Sequence, residues 1–161
     1  MKQGTRGEAR IHVNAPPEKL YEMVTDVTRI PEWSPETAKV QWLGGATGPA
    51  VGAQFKGTNK NKFMRWSTKP RVVVADEARE FSFVVPSMVG GKDLTKWTYR
   101  FEPATDGGTD VTESFDIVND IPGVITLCDR YLLGIKDRRA DLVENMGTTL
   151  ERLKKAAEGS V

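Results

Sequence analysis

Apolar and polar positions alternate through the middle of the chain. In residues 95–117, TKWTYRFEPATDGGTDVTESFDI, Trp97, Tyr99 and Phe101 alternate with Lys96, Thr98, Arg100 and Glu102. Val111, Glu113, Phe115 and Ile117 then alternate with Thr112, Ser114 and Asp116. A strand shows successive side chains to opposite faces, so each run has one largely apolar face and one polar face. The joining Ala104-Thr105-Asp106-Gly107-Gly108 is rich in residues that accept the backbone angles of a tight reversal. A hairpin centred on Asp106 sets Phe101 beside Val111, Tyr99 beside Glu113 and Trp97 beside Phe115. Its other face matches Lys96 with Asp116, Thr98 with Ser114 and Arg100 with Thr112, all favourable pairs. Glu102 opposite Asp110 is a like-charge pair that needs solvent. Glu113 is thereby expected on the aromatic face.

The same reading extends along the chain. Residues 8–13 form a first strand, stopped by Asn14-Ala15-Pro16-Pro17. Proline suits a first helical turn and Glu18 complements the helix dipole there, so a short helix follows with Leu20, Tyr21 and Val24 on one face. Residues 26–33 give a second short helix or turn, broken at Pro31. Val40 and Trp42 alternate, then Ala53, Phe55, Gly57 and Asn59, and after a turn Met64, Trp66 and Thr68. That last phase runs past Pro70 through Val72 and Val74. A reversal near Glu77-Ala78 leads to Phe81, Phe83 and Val85, a loop at Met88-Val89-Gly90-Gly91, and the hairpin. About seven strands in sequential antiparallel order are expected.

Beyond Gly123 the period becomes helical. Ile135, Leu142, Met146, Leu150, Leu153 and Ala157 recur every three to four residues, with a gap at Arg138-Arg139. A helix over residues 133–157 would run roughly 36 Å and cross the sheet. The expected fold is α+β: a seven-stranded antiparallel sheet wrapped around a long C-terminal helix, with two short helices after strand one.

Composition narrows the function. The 161 residues are expected to form one domain, 1–161, and the net charge of +1 gives no electrostatic grip on nucleic acid. The lone Cys128 excludes an internal disulfide and fits a reducing compartment. The N-terminal stretch has no apolar signal core and no segment has membrane-spanning length, so a cytoplasmic protein without stable membrane insertion is expected.

Local sequence adds a family likeness. APPEKLYEMVTDVTRIPEWSPE, VGAQFKGTNK, RWSTKPRVV, EFSFVV, WTYRFEP and GGTDVTESF together resemble the SRPBCC superfamily, in its bacterial polyketide cyclase/dehydratase-like and START-like branch. The likeness covers about residues 8–158 and implies the helix-grip fold, with a cavity between sheet and long helix. Members differ in role, from polyketide cyclisation to lipid or hormone binding and quinone chaperoning, and share no catalytic signature, so the fold leaves function open.

The candidate site is the concave face of the sheet. Phe55, Asn59, Trp66, Phe83, Trp97, Tyr99, Glu113 and Phe115 share that face by alternation, with Met146 and Leu150 facing them from the helix and Trp33 at the rim. An apolar chamber with few polar groups suits a small ligand, although the aromatics fill an ordinary core equally well. An ionised carboxylate in such a place costs several kcal/mol, so Glu113 is salt-bridged, protonated or facing a wet space. His12 is expected to be exposed on the opposite face, and Cys128 to be buried packing. No metal-ligand spacing or phosphate-binding loop occurs, and no cofactor is expected.

Three functions stand open at this level. The first is binding of a hydrophobic or amphipathic small molecule: a lipid, polyketide or aromatic metabolite. The second is a cyclase or dehydratase using Glu113 as acid/base, with Tyr99 or Asn59 holding a carbonyl. The third is a protein-interaction module with a vestigial cavity. The expected partner is a hydrophobic small molecule, and a homodimer stays open.

Overall fold

A computed structural model describes residues 1–159. Its strands are β1 (Arg6–Val13), β2 (Thr37–Trp42), β3 (Phe55–Asn61), β4 (Met64–Thr68), β5 (Arg71–Asp76), β6 (Glu80–Pro86), β7 (Asp93–Pro103) and β8 (Thr109–Ile117). They pair antiparallel in the orders β1-β8-β7-β6-β5 and β2-β3-β4. Eight strands thus replace the seven expected among the described residues. The difference lies at Lys69-Pro70, where the expected long strand breaks into β4 and β5 on separate sheets. Proline has no N–H to continue a ladder. Its carbonyl is used instead: Phe55 N donates to Pro70 O at 3.1 Å and Val72 N to Ala53 O at 2.9 Å. The chain just before β3 therefore stitches the two sheets together.

The helices are α1 (Pro17–Thr25), α2 (Gly123–Leu132) and α3 (Arg138–Glu158), with a 3-10 turn at Val27–Glu32. α1 has proline in its first turn and buries Leu20, Tyr21, Met23 and Val24. Tyr21 meets Phe101 edge-on at 5.8 Å. The terminal helix begins at Arg138 rather than at residue 133. Gly134 takes a left-handed φ of +70°, which ends the helical run, and Asp137 caps the new start by accepting from Ala140 N at 3.1 Å. Ile135 consequently lies in a connecting loop, outside the helical stripe.

The separate helix α2 buries none of its side chains. Cys128, expected as buried packing, is only half-buried there. His12 has its side chain 39% exposed, as expected, but it is paired with neighbouring acids. Its ring lies 3.0 Å from Asp110 and 2.9 Å from Asp106, and its pKa is raised above 6.5, chiefly by the hydrogen bond to Asp110. The like-charge pair Glu102 and Asp110 is moderated by Arg10, at 4.0 and 3.2 Å respectively.

α3 lies chiefly along β1 and buries Leu142, Met146, Thr149, Leu150, Leu153 and Ala157. The approach is close because β1 carries no side chain at Gly7. A Cβ there would stand 2.6 Å from Phe115 Cε1 and 2.9 Å from Val143 Cγ2. Gly147, on α3 itself, has open space at the same position. Gly7→Ala is therefore expected to destabilise the fold by about 1–3 kcal/mol through overpacking. Gly147→Ala is expected to stabilise it by about 0.5–1 kcal/mol through helix propensity. Urea unfolding midpoints of the two variants should move in opposite directions from the parent.

Candidate functional site

Alternation carries Val111, Glu113, Phe115 and Ile117 of β8 to the concave face, and all four are buried. The β7–β8 ladder has the register read from the hairpin, with Tyr99 opposite Glu113 and Trp97 opposite Phe115. On its other flank Glu113 faces Ala9 of β1, which carries no polar side chain to bond it. Tyr99 Oη donates to Glu113 Oε1 at 2.8 Å. Glu113 Oε2 is buried with no hydrogen-bond partner among the described residues.

Burial pushes the Glu113 carboxyl up from 4.5 to about 8, and the Tyr99 bond offsets only part of that. The Tyr99 hydroxyl is held well above 10, by burial first and by its proximity to Glu113 second. Both groups keep their protons at neutral pH. The tyrosine proton points to Oε1, so the acid's own proton sits on Oε2. The result is a buried donor that lacks an acceptor, an arrangement that costs about 1–3 kcal/mol.

Around this pair the inward side chains of β8 are buried throughout, while burial on β6 and β7 eases toward one end. Along β7, Phe101 and Tyr99 are buried while Trp97 and Thr95 are half-buried. β6 repeats the trend, from buried Phe81 to half-buried Phe83 and Val85, opposite Tyr99, Trp97 and Thr95. The more buried end is filled by α1. Asn59 and Trp66 are cross-strand partners on β3 and β4 and are also half-buried. Glu113 lies two ladder positions from Trp97 and Phe115, on the same face.

The candidates fall into two packed groups. Trp33, Phe55, Phe83, Tyr99 and Leu150 belong to the larger core, where Phe55 meets Phe83 edge-on at 5.3 Å. Phe115, Met146 and Trp97 form a smaller one, with the two rings 5.6 Å apart. Trp33 is 1% exposed and does not stand at an open rim; Arg29 covers its ring at 5.2 Å. Asn59 accepts from Thr37 Oγ1 at 3.0 Å and so joins β2 to β3. Open recesses of about 560 and 620 Å³ lie on the outer surface, beside α1 with Trp42 and beside Pro17 with the β5–β6 turn. Neither recess touches a candidate residue.

Sequence reasoning missed Arg138. Its guanidinium reaches both carboxylate oxygens of Glu36 at 3.2 Å, bonds Asp141, and lies 4.0 Å from Asp129. Burial works against its charge, but these acids outweigh it and raise its pKa. The gap that Arg138 leaves in the apolar stripe, with Asp141 three residues on, was the available signal.

Glu113 makes its own contribution to the pH dependence of folding, separate from those of other titrating groups. Below pH 4.5 the acid is protonated in both folded and unfolded chains. Between 4.5 and about 8 the folded state retains a proton on Glu113 that the unfolded chain releases, so the stability contributed by this group falls as pH rises and levels off above about 8. Glu113→Gln keeps the shape and removes this titration. Its unfolding free energy relative to the parent should be near zero at the acid end and favourable by a few kcal/mol at the alkaline end, on the order of one to several pKa units. Denaturation at a series of pH values measures this directly.

Comparison with known proteins places this architecture. The chain matches the family model for polyketide cyclase / dehydrase and lipid transport over residues 5–158. It is similar to the Polyketide_cyc-like protein Cgl2372 of Corynebacterium glutamicum, with 30% identity, a TM-score of 0.60, and coverage of 99% of this chain and 98% of that one. In fold it also resembles MLL2253 of Mesorhizobium loti, at 16% identity, a TM-score of 0.68 and coverage of 98% and 99%. Ginseng major latex-like protein 151 shares the fold too, at 15% identity, a TM-score of 0.69 and coverage of 96% and 97%. No functionally curated protein matches the chain. Its antiparallel sheet, its long C-terminal helix and the match along nearly its whole length make the chain a member of the polyketide cyclase / dehydrase and lipid transport family.

Proposed function

We propose that the protein binds an apolar or amphipathic small molecule, a lipid, polyketide or aromatic metabolite, between the sheet and α3. A neutral hydrogen-bond acceptor of that molecule, a ketone or ester carbonyl, takes the proton offered by Glu113 Oε2. The observation that carries this reading is the orphaned Oε2 itself, a buried polar atom with no partner among the described residues. Such groups are rare in folded proteins, and a ligand acceptor is one remedy. The half-buried Trp97, Phe83, Trp66 and Asn59 supply the approach from the less buried end. A cationic head group fits poorly, because the acid is neutral. A carboxylate would have to be buried without a counter-charge. Family membership supports the apolar class of ligand.

The enzyme reading has less behind it. A single carboxyl would have to both give and take the proton, and no partner base stands beside Glu113 among the described residues. Among the described residues the side chain of Glu113 is bonded by Tyr99 alone, whose own proton is held well above pH 10.

The test uses matched probes. Native mass spectrometry of freshly purified protein should show a retained apolar molecule. A long-chain methyl ketone should bind about tenfold more tightly than the alkane of equal length, the worth of one buried hydrogen bond. Glu113→Gln retains a donor and should keep that preference at every pH. The parent should lose it above about pH 8. Glu113→Leu should bind ketone and alkane alike. If neither probe binds and nothing is retained, the ligand-binding reading fails; equal binding of both probes to the parent rejects the role of Glu113 alone.

A further inference from the structure

The helix α2 is inverted relative to an ordinary surface helix. Val124, Leu127 and Tyr131 recur at helical spacing and share a face, yet they are 66%, 56% and 75% exposed. A surface helix normally turns such a stripe inward. Its polar Asp129 instead faces the protein, 4.0 Å from Arg138. Phe63, at the tip of the β3–β4 turn, is 73% exposed, and its neighbour Lys62 donates to Leu133 O at 2.7 Å. That bond brings the aromatic tip to the end of α2. The lead-in to α2 is held on the start of β7, with Val118 N bonding Leu94 O at 2.9 Å. The start of β7 is the end at which Thr95 and Trp97 are half-buried. The apolar residues therefore form an exposed rim beside that end of the sheet.

Charge around this rim is one-sided. Lys60, Arg65, Arg130 and Lys136 are exposed and form no ion pair among the described residues. Of the neighbouring acids, Glu36, Asp129 and Asp141 are engaged on Arg138, Asp120 pairs with Lys2 at 3.4 Å, and the exposed Asp137 caps α3. An apolar stripe bordered by free cations complements an interface with an apolar interior and an anionic surface. A second copy of the chain would oppose cation to cation across a two-fold axis.

We propose that α2 and Phe63 form a docking face for an anionic lipid bilayer, with α2 lying in the plane of the interface and the start of β7 turned toward it. The helix has ten residues, and among the described residues none is long and apolar enough to cross a membrane, so contact is peripheral. The proposal rests on the rim alone, whatever ligand occupies the interior.

Sedimentation of the full chain with vesicles tests this. The protein should bind equimolar phosphatidylglycerol/phosphatidylcholine vesicles, bind pure phosphatidylcholine weakly, and be released as salt rises from about 0.1 M to about 1 M. Leu127→Glu should weaken partitioning by about tenfold. Lys136→Gln, which leaves the apolar face intact, should weaken it by about fivefold on anionic vesicles only. Circular dichroism of both variants checks that the fold is retained. Equal partitioning of parent and Leu127→Glu overturns the proposal, as does absence of binding to the anionic vesicles. So does a parent dimer that Leu127→Glu converts to monomer with vesicle binding unchanged, because α2 would then be a self-association surface.

Discussion

Strand β8 turns every second side chain toward α3, and the pairing with β7 leaves no freedom in which ones these are. The bond from Tyr99 to Glu113 at 2.8 Å exists because the ladder sets those residues opposite each other, and the same ladder places Trp97 against Phe115. Slipping the register by one residue would carry Glu113 to the charged convex face and bring Thr112 and Ser114 under the helix. The two-residue period thus determines both the polar group at the centre of the concave face and the apolar walls around it. β1 adds the second constraint, since Gly7 lets Phe115 and Val143 fill the space a side chain would take. α3 can then lie close along β1.

Most of this framework is legible in the sequence wherever one local rule acts alone. The hairpin register follows from alternation and the Asp-Gly turn. α1 follows from Pro17, Glu18 and its apolar face, and the body of α3 follows from the stripe of Leu142, Met146, Leu150 and Leu153. The misreadings occur where two rules compete. Met64 to Val74 keeps one alternation phase across Pro70, so period suggests one strand while the missing N–H enforces two. Residues 123–132 carry enough apolar side chains to look like core, yet α2 leaves its stripe in solvent. Periodicity reports that a helix has a face, not what lies against it. The candidate site was half legible: alternation identifies Glu113 and Tyr99, but not that Oε2 lacks a partner, because that depends on Ala9 of a distant strand. Arg138 stayed hidden, since its partner Glu36 lies far away in sequence.

Two different solutions for buried charge coexist in the chain. Arg138 keeps its charge because three carboxylates surround it and part of it reaches solvent. Glu113 has no cation beside it among the described residues and gives its charge up, holding a proton to about pH 8. The first knits β2, α2 and α3 into one corner. The second leaves a neutral donor on the concave face, and a neutral donor selects for acceptors without the desolvation penalty of an ion.

The bonds at the two borders of α2 bear on its entropy. Val118 and Asn119 are fastened to β7, and Leu133 and Arg138 to the β3–β4 turn and β2. A segment fixed at both ends has already lost the freedom of ring closure, which folding of the rest has met. What α2 still has to lose on being covered is the rotamer freedom of a few outward side chains, about 0.5–1 kcal/mol for a residue such as leucine. A free tail of the same composition would also have to order its backbone. Held as a closed loop, α2 meets any surface with its helical backbone already set.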